Sequence, residues 1–274
     1  MAGRAIWKGS ISFGLVSIPV SMHSAVESKS LSFNQLHSKD QGRIRYKRTC
    51  SVCGEEVPFD EIVKGYEYEK DHYVTFTGEE LDRGVSGVRS VDIVKFVPLE
   101  EIDPVYFEKP YYLAPTESVA AKPYKLLLKA LADDQRVAVC RVAFRDKEHL
   151  AVMRVVDDVL VLETMHWPDE IREPDFETLD VDVEPTDAEV KMAKMLIDNL
   201  TGDFEPDEFE DTYRAKLEEL VSAKIEGREI TVIESEDTAK VIDLMDALRA
   251  SVEATSEGSD AKRSGKGKKE SAAG

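Results

Sequence analysis

The residues whose types and spacing bear on chemistry are concentrated between positions 29 and 53. Arg43-Ile44-Arg45-Tyr46-Lys47-Arg48 alternates cations with bulkier apolar side chains. In an extended strand this alternation sets Arg43, Arg45 and Lys47 on one face at intervals of about 6.6 Å, with Ile44 and Tyr46 on the other. Three cations in a row can track a phosphate backbone, and such a stripe reads no base edges, so it implies affinity with little sequence preference. Lys29, Lys39 and Arg48 extend the same character, leaving Asp40 as the single acid between Lys29 and Arg48. The alternative is a charged edge strand that serves only to prevent aggregation.

Cys50-Ser51-Val52-Cys53-Gly54 follows directly and has the form of a zinc knuckle, in which one tight turn supplies two thiolates. A structural zinc takes four ligands, yet the chain has no second C-x-x-C, and His72 is the sole histidine at a suitable downstream distance. Cys50 and Cys53 are therefore read as a weak candidate half-site, a relic with reduced thiols, and no metal or other cofactor is expected. Catalysis is not expected either. There is no Gly-rich phosphate loop, no G-x-S-x-G elbow and no H-E-x-x-H, and His23, His37, His72, His149 and His166 are scattered without ligand spacing. A long-range triad stays open on sequence alone.

These residues need a scaffold, and composition bounds it. The 274 residues carry a net charge of -19, which at first argues against a polyanionic partner. Distribution changes that inference, because from Pro168 to Asp211 seventeen acids face only Arg172, Lys191 and Lys194. The chain is thus polarised, with a basic segment near the start and an acidic one later, as suits a protein that admits duplex in one geometry and repels it elsewhere. No apolar run approaches the roughly 20 residues of a membrane span, and the start MAGRAIWKGSISFG lacks a signal-peptide core, so a cytoplasmic protein without membrane contact is expected. Three cysteines are too few for a disulfide framework.

The first part of the chain reads as strand. Ile6 to Val20, Arg43 to Arg48, His72 to Thr77, Ser90 to Val97, Tyr111 to Ala114, Val137 to Phe144, Leu150 to Val156 and Val159 to Met165 are β-rich, the last two joined by a turn at Asp157-Asp158. The final three predict a meander within an antiparallel sheet or barrel. One helix opens at Pro123 and runs through Tyr124, Leu127, Leu128 and Leu131. Trp7 and Trp167 are read as core or interface anchors. Beyond Val183 the pattern turns helical. Thr186-Asp187-Ala188-Glu189 is a capping box before Leu196, Ile197 and Leu200, and a second helix is predicted from Pro206 to Gly227, with Phe209, Tyr213, Leu217 and Leu220 on one side. A third is predicted over Asp237 to Val252. Such stripes need cover, either from a partner subunit or from the chain's own β domain. From Ser256 the composition is that of a flexible, weakly basic tail.

The phrases AIWKGSISFGLVSIPV at 5–20, RIRYKRTCSVCGEEVPFDEIVKGYEYEKDHYV at 43–74 and PTDAEVKMAKMLIDNLTGDFEPDEFEDTYRAKLEELVSAKIEG at 185–227 resemble, in order, the bacterial Ku proteins of non-homologous end joining. The resemblance implies an α+β fold: an antiparallel β-barrel core over 1–183 and a projecting β bridge at about 30–85. It also implies a helical dimerisation arm over 184–230 and a ligase-contact region over 231–255, before a disordered tail over 256–274. It implies DNA contacts at Lys29, Lys39, Arg43, Arg45, Lys47 and Arg48, and an arm built on Leu196, Leu200, Phe209, Tyr213, Leu217 and Leu220. The implied partners are linear double-stranded DNA, a second copy of the chain and the bacterial ATP-dependent end-joining ligase. Two readings compete: an acidic oligomeric scaffold for protein partners, and an RNA binder with a zinc-ribbon relic.

Overall fold

The structure is a computed structural model and describes residues 3–84, 89–144 and 147–228, with 245, 247–249, 251 and 252. The chain divides into two units, one comprising residues up to 174 apart from 30–32, the other 30–32 with the residues from 175 on.

In the first unit, β1 (Trp7–Phe13) and β2 (Val16–Ser24) form a hairpin, so the single stretch read at Ile6 to Val20 folds back at Gly14-Leu15. An excursion follows, containing β3 (Lys64–Glu69), β4 (His72–Phe76) and α1 (Gly78–Gly84). The chain then continues through β5 (Ser90–Val97), β6 (Phe107–Pro115), α2 (Ala121–Asp134), β7 (Val137–Phe144), β8 (Lys147–Val156) and β9 (Val159–Met165). Seven strands close a barrel in the order β1-β2-β6-β9-β8-β7-β5. Six of its joints are antiparallel, as expected. The seventh, β1 with β5, is parallel, in register from Ser10↔Ser90 to Ser12↔Asp92. Its close approach needs Gly9, where an added Cβ would lie 2.2 Å from the Arg89 carbonyl oxygen.

Alternation sends Ile11, Ile18, Val20, Met22, Val91, Leu113, Met153, Leu160 and Leu162 into the barrel, where they are wholly inaccessible. Each such burial stabilises the fold by about 1.5–3 kcal/mol relative to exposure. One end of the barrel is plugged by α2, whose Tyr124, Leu127 and Leu131 join the same core. The Tyr124 hydroxyl donates to the Leu113 carbonyl at 2.7 Å and accepts from the Leu160 N–H at 2.8 Å. The helix opens at Ala121, two residues ahead of the expected start, because a 3-10 turn over Ser118–Ala120 runs into it and places Pro123 in a first turn whose N–H groups lack partners anyway. Trp7 is buried at the opposite end, its indole N–H donating to the Ala143 carbonyl at 3.1 Å. Outside the barrel, the segment between β5 and β6 lays Ile102 and Tyr106 over Val137, Val152 and Met165.

The ends of the barrel carry different elements. The excursion leaves β2 at Ser24 and returns into β5 at Ser90, both at the Trp7 end, whereas the β1–β2 turn, the β8–β9 turn and α2 lie at the other.

In the second unit, α3 (Asp187–Leu200) begins at the expected box: Thr186 Oγ1 accepts from the Glu189 N–H, and the Glu189 carboxylate accepts from the Thr186 N–H at 2.6 Å. The next helix differs from expectation. Pro206–Glu208 makes only a 3-10 turn, and α4 (Thr212–Ile225) starts later, where the Asp211 carboxylate accepts from the Arg214 N–H at 2.9 Å. That cap supplies a partner for an N-terminal donor, which nothing at Pro206 does, and it leaves Phe209 outside the helix. Of the third predicted helix only 245, 247–249, 251 and 252 are described, all helical, and the tail from Ser256 lies outside the described residues. Among the described residues no helix is long and apolar enough to cross a membrane.

Candidate nucleic-acid interface

The excursion between Ser24 and Ser90 is a chain of small loops. The first is pinned by the isolated bridge Leu36↔Arg43 and by His37 N–H to the Gly42 carbonyl at 2.8 Å. Asp40 turns inward within it. Its carboxylate accepts from the Gly42 N–H at 2.9 Å and pairs with His37 at 3.0 Å, and these contacts, the Gly42 bond foremost, hold it below the usual carboxylate range. The single acid of the basic segment is thereby occupied locally.

Arg43 to Arg48 is extended but is not a strand, which corrects the sequence expectation. It is laddered only at its margins, through Leu36↔Arg43 and Thr49↔Glu56. Alternation alone makes no sheet here, because no partner strand runs alongside and neither face is buried; Ile44 and Tyr46 are themselves exposed. The Ile44 N–H donates to the Gln35 carbonyl at 3.1 Å, and the Tyr46 hydroxyl bonds the Gln35 side chain.

All six cations singled out in the sequence are exposed. Lys29 pairs with Glu27 at 2.6 Å and Lys47 with Glu56 at 2.5 Å, while the Arg48 guanidinium lies 5.5 Å from the centroid of Phe59. Among the described residues, Lys39, Arg43 and Arg45 form no ion pair. Exposed pairs such as those of Lys29 and Lys47 are worth at most about 1 kcal/mol, so a phosphate can replace the carboxylate at little cost.

The knuckle forms as its sequence suggests. The Cys50 N–H donates to the Glu55 carbonyl and the Gly54 N–H to the Cys50 carbonyl, both at 2.9 Å, with Gly54 at φ 75°, where a side chain would be strained. The N–H groups of Cys53 and then Val52 point at the Cys50 sulfur and lower its thiol from the ordinary range. His72 is not part of this turn; it sits in β4 with its ring against Tyr68 and Nδ1 3.0 Å from the Lys70 carbonyl. Among the described residues no three His, Cys, Asp or Glu side chains converge as a metal site.

Of the β3–β4 hairpin, sequence reading singled out the strand at His72 to Thr77 and His72 itself, but none of its tyrosines. Every residue of β3 is exposed, and Tyr66, Tyr68 and Tyr73 present rings to solvent. An isolated two-stranded hairpin is marginal in water, and tyrosine combines an apolar body with a polar tip, so this element has the make-up of a surface that receives a partner. The Tyr66-x-Tyr68 spacing, both on one strand face, was the available signal.

In the second unit, Leu196 and Leu217 are half-buried and Leu200, Phe209, Tyr213 and Leu220 are exposed. Phe209 stacks on Phe204, ring centroids 5.6 Å apart. No residue of α3 or α4 is buried, so both apolar stripes lack cover within the described chain.

Residues 12–192 match the family described as the Ku70/Ku80 beta-barrel domain. Three curated relatives carry the name Non-homologous end joining protein Ku. One, from Desulfitobacterium hafniense, is 46% identical over 92% of this chain and 88% of its own length. One from Mycolicibacterium smegmatis is 44% identical over 92% and 82%, and one from Mycobacterium tuberculosis 41% identical over 92% and 96%.

Proposed function

The chain belongs to the Ku family, and from that premise we propose that it binds free ends of double-stranded DNA as a ring-shaped homodimer and hands them to an ATP-dependent ligase. A role in non-homologous end joining, exercised by binding DNA ends and not by catalysis, follows from membership itself. The ring, the homodimer and the ligase go further and are our reading.

One observation carries it: an exposed excursion that leaves and re-enters the barrel at the same end, with its cations gathered in the first part. A loop anchored at both feet can pass over a duplex and rejoin its own scaffold. Lys39, Arg43 and Arg45 would meet phosphates directly, and Lys29 and Lys47 after exchange of their carboxylates. Contacts of this kind are blind to sequence and sensitive to salt. Two copies related by a twofold axis would close the ring, and the stripes of α3 and α4 would be covered by the other copy. On the family resemblance, the region after Arg228 would meet the ligase.

The test compares a linear duplex with the same DNA as a closed circle, at matched salt. Binding to the linear form alone is expected. Equal binding to both would leave an ordinary surface binder, and binding to neither would favour an acidic scaffold for protein partners.

A further inference from the structure

Helix α2 is laid out against its own electrostatics. At 3.6 residues per turn, Lys122, Lys125 and Lys129 fall within an arc of about 60° on the face opposite Tyr124, Leu127 and Leu131, and all three are exposed. No acid occurs from Ser118 to Ala132; Asp133 and Asp134 stand in the last turn, and no side chain caps the first. The macrodipole makes the start of a helix positive and its end negative within the first and last turns, so Lys122 in the first turn and Asp133 and Asp134 in the last each stand at a cost of about 0.3–1 kcal/mol. Among the described residues the three lysines form no ion pair, Lys129 with Asp133 included. In a chain of net charge -19 such a stripe is not a by-product of composition. A local rule broken without a compensating interaction marks a surface kept for binding and not for stability.

The position of the stripe separates it from the basic segment already described. α2 plugs the end of the barrel that carries the β1–β2 and β8–β9 turns, while Arg43 and Arg45 belong to the excursion rooted at the other end. Lysines three and four apart on a helix stand about 5–6 Å from one another, a spacing that can follow successive phosphates. Lysine is a mobile point charge with no fork for base edges, so it suits backbone contact without readout.

We propose that Lys122, Lys125 and Lys129 on the exposed face of α2 form a second phosphate-backbone contact for duplex DNA, at the barrel end opposite the roots of the excursion. The proposal rests on the DNA-binding reading above. It adds a second phosphate-holding element, carried on a different part of the chain from the first, for one duplex or for two.

The full-length protein is compared with Lys122→Glu/Lys125→Glu/Lys129→Glu and with the corresponding triple Arg variant. Binding to linear duplexes is measured across a salt series, alongside thermal denaturation. The Glu variant is expected to bind about tenfold more weakly at moderate salt and to lose about 2–3 from the slope of log K against log salt, near 0.9 for each phosphate no longer neutralised. The Arg variant should keep the wild-type slope. Glutamate at 122 complements the start of the helix, whereas at 129 it stands one turn from Asp133, so thermal denaturation serves to establish that the Glu variant is folded before its slope is read. An unchanged slope in a folded Glu variant would overturn the proposal. Should the Glu variant not fold, the triple Gln variant is read by the same criterion. A slope change already present on the shortest duplex that binds would assign the site to the encircled DNA, and one that appears only with a second duplex would assign it to a separate molecule. Wild-type protein that binds circles and linear DNA alike would overturn the ring but leave the slope comparison intact.

Discussion

Tyr124 sits at the last rung of the β6–β9 ladder, where Leu113 and Leu160 are partners, and its hydroxyl serves both strands at once. Burial, opposed only in part by the Leu160 N–H, raises the phenol above its usual range and keeps it a neutral donor. Tyr124→Phe removes the hydroxyl and leaves a buried carbonyl and N–H unmatched, so it should destabilise the protein by about 1–3 kcal/mol. Urea denaturation measures this, and a change too small to detect would mean that water restores the bridge. Sequence could place Tyr124 on the apolar side of a helix, but nothing in a one-dimensional pattern indicates that its oxygen ends on two strands. The cysteines show the same limit from the other side. Cys140 is in sequence only one of three cysteines, and its environment decides its chemistry: burial, with Asp92 nearby, pushes it to about 12 and makes it inert at neutral pH, in contrast to Cys50 in its turn of inward N–H groups.

Elements were legible in proportion to how much each buries. β5, β7 and β9 run where their β-rich patterns predict, because each packs against the core, β7 and β9 with buried residues on both faces, and a β-rich apolar run is the record of that burial. Arg43 to Arg48 alternates cations with bulkier residues but has no buried face behind it, so the pattern specified exposure but not pairing. The start of α4 escaped for a different reason: Pro206 is a fair opening residue, and choosing between it and Asp211 depends on which cap finds its N–H. The extended segment gives a graded prediction. Arg43→Ala with Arg45→Ala should weaken binding to all duplex sequences alike and lower the salt slope by about 2. Lys47→Ala should add less, because Lys47 exchanges the Glu56 carboxylate for its phosphate. Anisotropy on two unrelated duplex sequences tests both statements, and weakening confined to one sequence would point to base readout instead.

At the scale of the whole molecule, the two units differ in what they leave unfinished. The barrel is sealed at one end by α2 and at the other by Trp7, whereas α3 and α4 expose apolar stripes with no buried member. If a second copy covers those stripes, the protein should sediment as a dimer, and Leu196→Asp with Leu217→Asp should shift it to a monomer, since each change would place a charge in an apolar interface. A variant that remains dimeric would move the interface elsewhere. The family resemblance supplied the order of barrel, excursion and arm, and the polarised charge hinted at it. What neither held was the parallel joint between β1 and β5. That joint bears on how the chain is made. As the polypeptide leaves the ribosome, β1 and β2 emerge early as a ribbon with two open edges, and the strand that seals the outer edge of β1 does not exist until the whole excursion has been translated. Loop length itself adds little to the cost of closure, which grows only with the logarithm of the residues spanned. The delay is the larger hazard, since unpaired edges are where nascent chains stick to one another. The translation of the excursion is thus also the interval during which the barrel that carries it stays open.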